Sequence, residues 1–355
     1  MTISNFKYFP FSLRLNNPFQ TSSQKIEDRN GFIISLSDES GNNALGECSP
    51  LPGFSTENIE DAERILKGLN HQIIGFSAED NIDSIDDLLS DFHLVPSLRF
   101  ALEQALIGLI IKRYNNFFED TFPVFKKEFN VNSVIGFNEE EIILNQINDK
   151  IRKGFSTFKI KAGRENFNLD LKLIEAIRTA FGGSIKLRMD TNGKWDFEKA
   201  KKYFDELSRF DIEFIEEPCG NLEENLLLAE SSAIPVALDE SISSPEDAHK
   251  IIEEGAVKFI ILKPAIKSGI VSSLKIIREA ARKEIKVIIS SSFESAVGKT
   301  ALVLLASSID HSFAHGLDTA DFFTENICTD PFGVRNGKIQ FDRNNYPPQL
   351  NFSMQ

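Results

Sequence analysis

From about residue 131 the chain repeats one pattern, a short apolar run followed by an amphipathic segment. The runs are "VNSVIG", "FSTFKIKAG", "SIKLRMDTNG", "FDIEFIEEP", "IPVALDES", "AVKFIILKP", "EIKVIISSS" and "AHGLDT". The segments between them carry helical spacing. In "LDLKLIEAIRTAFGG", for example, Leu173, Ile174, Ile177 and Phe181 share a face and Gly182 offers a C-terminal stop. Eight βα repeats over roughly 200 residues predict an α/β fold with a closed parallel (β/α) barrel, a modified TIM barrel, over residues 121–321. A doubly wound open sheet would need fewer strands and, for a dinucleotide, a glycine-rich first turn that is absent here.

Residues 1–120 read differently. "NFKYFPFSLRL", "NGFIISLSD" and "NALGECSP" have strand character, with Asn30-Gly31 and Gly41-Asn42 as turn punctuation, which predicts an antiparallel meander. Ile59, Ala62, Ile65, Leu66 and Leu69 then recur at helical spacing behind a Ser55 or Thr56 cap. "PSLRFALEQALIGLIIKR" forms a second, longer helix with Pro96 near its start. This α+β unit is expected to cap the barrel, completed by the tail at about 322–355. Its loops "NPFQTSSQ" and "SPLPGFS" are expected to close over the barrel mouth, the second stiffened by Pro50 and Pro52.

A chain of 355 residues that is 41% hydrophobic can bury a substantial core. Its formal charge of −14 argues against nucleic-acid or anionic-membrane partners, which demand clustered Lys and Arg. Cys48, Cys219 and Cys328 show no CxxC spacing, so neither a disulfide framework nor a thiolate zinc site is indicated. The chain opens without a signal-like segment, and no apolar run approaches the roughly 20 residues that span a bilayer. A cytoplasmic protein acting on a small molecule is the expectation, and a homo-oligomer is compatible with it.

Residues that finish barrel strands face the mouth, so Asp190, Glu216 and Asp239, closing runs three, four and five, become neighbours. A single aspartate at a strand end more often caps a helix or pairs with a lysine, but three carboxylates on successive strands repel one another and call for a hard divalent cation. Oxygen-only ligands suit Mg²⁺ or Mn²⁺. Glu217 and Glu240, beside two of these residues, should point elsewhere, into supporting pairs. Lys159 and Lys161 lie two apart, hence on one face, and the apolar Phe158 and Ile160 put that face inside the barrel. Burial lowers a lysine pKa and yields a usable base, a balance that carboxylates and metal alter; the alternative is an ion pair with Asp190. Lys263 closes run six, across the mouth. Two lysines on opposite walls with a metal between them is the arrangement for removing a proton α to a carboxylate.

With "KIK", "RMDTN", "IEEP", "LDES" and "LKP" in that order, the chain resembles the muconate-lactonizing-enzyme branch of the enolase superfamily over nearly its whole length. Three more specific segments, "GECSPLPGFSTE", "SSSFESAVG" and "HGLDT", resemble the o-succinylbenzoate synthase family of menaquinone biosynthesis. The resemblance implies dehydration of 2-succinyl-6-hydroxy-2,4-cyclohexadiene-1-carboxylate to o-succinylbenzoate, with Mg²⁺ on the ring carboxylate. It implies Lys161 as the base that then protonates the leaving hydroxyl on the same face, Lys263 as enediolate stabiliser opposite, and Lys159 as a supporting charge. Ser290, Ser291 and Ser292 either donate to the succinyl carboxylate or cap the next helix. Arg188 either reaches substrate or pairs with a neighbouring carboxylate. His315 and Asp318 are expected to shape the end of strand eight, with no basic role for His315. Ser268 stands where the family often has glycine. N-acylamino acid racemases and dipeptide epimerases of the same branch are the rival reading; such epimerases usually carry Asp-x-Asp after strand eight, whereas "LDTAD" spaces Asp318 and Asp321 differently. A non-catalytic binding barrel is a third reading, opposed by the full set of inward charges.

Overall fold

The computed structural model describes residues 1–20, 25–69, 71–114, 116–319 and 322–347. The N-terminal unit opens with β1 (Ile3–Gln20), β2 (Lys25–Asp38) and β3 (Asn43–Cys48), an antiparallel sheet in that order. Helices α1 (Ile59–Leu69), α2 (Ile82–Ser90), α3 (Pro96–Arg113) and α4 (Phe117–Thr121) follow. Gly41, in the left-handed region at φ 82°, makes the turn between β2 and β3. Asn30-Gly31 does not turn the chain: Gly31 lies within β2 opposite Phe11, where a Cβ would meet the Phe11 ring at 2.6 Å. Glycine serves close packing there, which local sequence cannot distinguish from turn chemistry. The cap of α1 is likewise Asn58, whose side chain accepts from the Asp61 amide at 2.8 Å, and not Ser55 or Thr56; Ser55 instead accepts from Leu51 inside the preceding loop. α3 packs on the sheet so closely that a Cβ on Gly46 would collide with the Ala101 carbonyl. Of the loop expected near residue 20, residues 17–20 continue β1 and 21–24 lie outside the described residues.

The second unit runs β4 (Glu128–Asn130), β5 (Ser133–Ile135), α5 (Glu140–Arg152), β6 (Thr157–Lys161), α6 (Phe167–Phe181), β7 (Lys186–Asp190), α7 (Phe197–Leu207), β8 (Ile212–Glu216), α8 (Leu222–Ser231), β9 (Val236–Leu238), α9 (Pro245–Glu254), β10 (Phe259–Leu262), α10 (Gly269–Arg282), β11 (Lys286–Ile289) and α11 (Ala296–Ser307). β5 to β11 form one parallel sheet in chain order. The eighth expected strand is reduced to His315 and Gly316, bridged in parallel to Val131 and Ser290, and this pair closes the barrel. Four backbone hydrogen bonds hold the closure: Asn132 to His315 and His315 to Asn130 at 2.9 Å, Gly316 to Ile289 at 2.8 Å, and Ser291 to Gly316 at 2.9 Å. The tail adds β12 (Lys338–Gln340), antiparallel to β4, and Leu15 bridges Phe323.

Barrel strands are apolar on both faces because helices cover the outside and side chains fill the inside. Alternation sorts them. Phe214, Ala237, Phe259, Ile261 and Ile288 form a cluster of their own with Phe313, separate from the main core. Two residues further along the same strands stand Glu216, Asp239, Lys263 and Ser290, so the period of two that fills the interior also delivers these polar groups to the mouth.

The closing segment also carries two buried imidazoles. His315 accepts from the Ile289 amide through Nδ1 at 3.1 Å, and His311 donates through Nε2 to the Val287 carbonyl at 2.8 Å. Burial pushes His311 down to about 4 and His315 well below its ordinary value. The unfolded chain takes up these protons near pH 6.5 and the folded chain does not, so stability should fall as pH drops from about 6.5 toward 4, by up to about 1.4 kcal/mol per pH unit for each histidine. Urea titrations across that range should show a shallower slope for His311→Phe than for the wild type; equal slopes would contradict this.

Candidate active site

Strand pairing places Lys161 beside Asp190 and Asp190 beside Glu216, in one row across β6, β7 and β8. The Lys161 ammonium donates to Asp190 Oδ2 at 2.7 Å and to Asn192 Oδ1 at 2.8 Å. Lys159 stands between two carboxylates, 3.0 Å from Asp190 Oδ2 and 2.8 Å from Glu216 Oε1. From the opposite wall Lys263 bonds Asp239 and lies 5.4 Å from the Phe54 ring centroid of the cap. All three carboxylates are 1% exposed. The structure thus brings together every carboxylate and lysine expected at the mouth.

The charges balance unevenly. Burial opposes the charge of Lys159, yet Asp190 and Glu216 hold it above its ordinary range; Lys263 is raised by Asp239 against the same opposition. Pairing therefore outweighs burial, the reverse of the balance expected for a solitary inward lysine. Asp190 and Asp239 are held low by their lysines despite burial. Glu216 is pushed up to about 8, by burial and then by the negative charge of Asp190.

Among the described residues the carboxylates do not form a bare ligand cluster, since ammonium groups lie between them. Two features nevertheless fit a divalent cation. Among the described residues Asp239 Oδ1, 3.7 Å from the Lys267 ammonium, is buried with no hydrogen-bond partner, and burial with the negative charge of Asp190 and Asp239 raises Glu216 even though Lys159 and Lys263 oppose it. Oxygen donors of this kind match Mg²⁺ or Mn²⁺, whose charge would relieve the repulsion and weaken the hold of the carboxylates on the lysines.

Supporting groups fix the row. Glu217, in the left-handed region at φ 45°, leaves the strand alternation and accepts from the Asp239 amide at 2.8 Å, from Asn225 at 3.0 Å and from Ser241. Glu240 accepts from Asn192 Nδ2 at 2.9 Å, joining Lys161 to the β9 loop through one amide side chain. Lys267, unforeseen from the sequence, donates to the Asp239 carbonyl at 2.9 Å from a π-type turn at Pro264–Ser268; its spacing of four from Lys263 is the signal that could have found it. Ser268 is accommodated in that turn, its hydroxyl 2.6 Å from that of Ser273.

The candidate substrate residues divide. Ser295, accepting from Val297, caps α11, so Ser290, Ser291 and Ser292 are free of the capping role weighed for them. All three line the pocket over the row, together with Leu51, Phe54 and Thr319. Ser291 is engaged with Glu294 at 2.5 Å and Thr319 at 3.0 Å, whereas the buried Ser292 hydroxyl has no hydrogen-bond partner among the described residues. Arg188, 1% exposed, forms the floor: it bonds Glu213 at 2.6 Å, Asn132 at 3.0 Å and the Ala314 carbonyl at 2.7 Å. Its pairing with a carboxylate is realised, and its second terminal nitrogen has no hydrogen-bond partner among the described residues. Asp318 turns to Lys150 at 2.8 Å, and Asp321 lies outside the described residues. Because Arg188→Met would leave the largely enclosed Glu213, its side chain 12% exposed, without its cation, it should cost about 2 kcal/mol by urea denaturation; a loss under about 0.5 kcal/mol would show the pair to be dispensable.

Residues 143–345 match the family model "Enolase C-terminal domain-like", and residues 3–109 match "MenC, N-terminal domain". An o-succinylbenzoate synthase of Pasteurella multocida is 30% identical, covering 90% of both chains. An L-Ala-D/L-Glu epimerase of Clostridium acetobutylicum is 29% identical over 87% of both. The chain spans only 22% of the Arabidopsis thaliana protein PHYLLO, to which 94% of it aligns at 25% identity. In fold it is similar to a muconate lactonizing enzyme from Pseudomonas fluorescens, with a TM-score of 0.86, 22% identity, and coverage of 96% of this chain and 94% of that one. By its barrel and the matching model, the chain belongs to the enolase superfamily.

Proposed function

We propose that this chain is an o-succinylbenzoate synthase, dehydrating 2-succinyl-6-hydroxy-2,4-cyclohexadiene-1-carboxylate to o-succinylbenzoate. The lysines on opposite barrel walls, Lys161 and Lys263, flanking three buried carboxylates, support proton abstraction beside a carboxylate, and the observation that carries the choice of synthase is the pocket wall of Ser290, Ser291, Ser292 and Thr319. Enolase-superfamily sites pair a lysine or histidine base with Mg²⁺, and a cation held by Asp190, Glu216 and Asp239 would supply positive charge to the substrate carboxylate.

In its neutral form Lys161 Nζ takes the proton α to the carboxylate. The C–O bond to the 6-hydroxyl then breaks, and the proton on Lys161 leaves with that oxygen as water, so one base on one face serves both steps. Lys263, from the other face, and Lys159, beside Glu216, offset the negative charge that develops between them. Asn192 orients Lys161, and the cap residues Leu51 and Phe54 exclude water from the pocket. The succinyl group would lie toward Ser290, Ser291 and Ser292, with the unpartnered Ser292 hydroxyl as donor and Arg188 at the floor.

Epimerisation is the second reading, because the same two lysines could exchange a proton across an α-carbon. A dipeptide substrate would bring an ammonium group, yet Asp318 is committed to Lys150, and among the described residues the far wall is built of serines, Thr319 and aromatic rings. That wall favours a substrate without an ammonium group. Racemisation of N-acylamino acids, which lack one too, is separated by assay.

Fast aromatisation of the cyclohexadiene substrate, dependent on Mg²⁺ and stopped by chelator, is the expected result by absorbance. Lys161→Ala should lower it by about 10³-fold or more while leaving product binding intact. Absence of aromatisation, with deuterium exchange into N-acylamino acids or dipeptides, would replace the synthase reading by the racemase one.

A further inference from the structure

We infer that Arg29, in β2 of the cap, is a positioning residue for the substrate pocket, joining a cap loop to the barrel loop that carries the serines. The inference rests on the synthase reading for its choice of substrate alone. Arg29 is 1% exposed and makes four hydrogen bonds, all to backbone carbonyls. Two belong to the cap loop, Ser49 at 2.6 Å and Pro50 at 2.7 Å, directly before the pocket residue Leu51. Two belong to the barrel loop, Ser292 and Phe293, each at 3.2 Å, and both residues line the pocket. One planar, always-charged group thus holds both walls of the pocket by their backbones, a geometry for which the rigid guanidinium fork is suited and an ammonium is not.

The barrel side of this contact is strained. Phe293 has φ 62°, a left-handed backbone that a bulky side chain adopts only when its surroundings impose it. Arg29 bonds the Phe293 carbonyl, Ser291 Oγ accepts from the Phe293 amide at 3.1 Å, and the ring lies edge-on to Phe322 at 5.3 Å. The Ser292 amide is bound by Glu294 and its carbonyl by Arg29, so its backbone is fully engaged while its hydroxyl is left without a partner. A second tie runs the same way: Glu47 of β3 accepts from Ser49 Oγ at 2.8 Å, and from Ser295 and Gly298 amides at 3.0 and 2.8 Å. Neither Arg29 nor Glu47 touches the lysines or the three carboxylates. Their effect falls on how the distal part of the substrate is held, not on proton transfer.

Steady-state aromatisation by Arg29→Lys and Arg29→Ala should therefore show KM raised at least about tenfold with kcat within a small factor of wild type. Low-millimolar guanidinium should restore KM for Arg29→Ala, where an equal concentration of NaCl does not. A fall in kcat at unchanged KM, or no rescue by guanidinium, would overturn the proposal. Hydrogen exchange of the wild-type chain provides a test that needs no variant: segments 51–55 and 291–295 should open together, with one shared opening free energy, and be protected together by product. Independent exchange of the two segments would equally overturn it. A wild type inactive on this substrate would remove the synthase reading alone, because the exchange measurement does not depend on turnover.

Discussion

Three carboxylates enclosed in a barrel mouth are tolerable only if cations stand among them, and the remainder of the molecule is arranged around that requirement. Asp190, Glu216 and Asp239 sit above an apolar plug of Phe214, Ala237, Phe259, Ile261 and Ile288, which denies them water from below. Lys159, Lys161 and Lys263 supply charge from within the same ring of strands. A buried ion pair that loses one partner leaves an uncompensated charge, so such a lattice is costly to keep unless its charges do chemistry. Its residual imbalance, an Asp239 oxygen with no hydrogen-bond partner among the described residues and a Glu216 pushed up to about 8, fits the place where a divalent cation would act.

The mouth was legible from sequence because it obeys one rule, a period of two along strands whose order in the barrel is their order in the chain. Knowing that "FKIKAG", "RMD", "FIEE", "ALDE" and "ILKP" end strands is enough to bring six charged residues together. What escaped depends on contacts between segments far apart in sequence. Gly31 resembled a turn but lies against Phe11, and strand eight shrank to two bridging residues because the closure needs only His315 and Gly316. Arg188 could not be divided between substrate and partner until Glu213, on the next strand, was placed beside it. Arg29 carried no signal at all: it lies in an ordinary strand, and its role comes from carbonyls about 20 and 260 residues away.

This division between barrel and cap also explains why superfamily membership does not by itself settle the reaction. A synthase and an epimerase align at similar identity over similar lengths, and under the proposed mechanism the same lysine pair would serve either chemistry. On that mechanism, discrimination would come from the elements that line the pocket beyond the lysines, namely the cap loop with Leu51 and Phe54, the serine loop, and the segment after the barrel closure where Asp318 has turned to Lys150. Of these, the cap loop and the serine loop are joined by backbone carbonyls and amides bound to buried Arg29 and Glu47.

Everything proposed for the mouth depends on the carboxylate row holding a divalent cation. Titrating the purified protein with Mg²⁺ in a calorimeter tests it without any substrate. One binding event is expected for the wild type, weakened at least about tenfold in Asp239→Asn, a change of about 1.4 kcal/mol, measured at a temperature at which both proteins are folded in chelator. Equal Mg²⁺ affinity in the two proteins would contradict the account and leave Asp239 as no more than the ion-pair partner of Lys263.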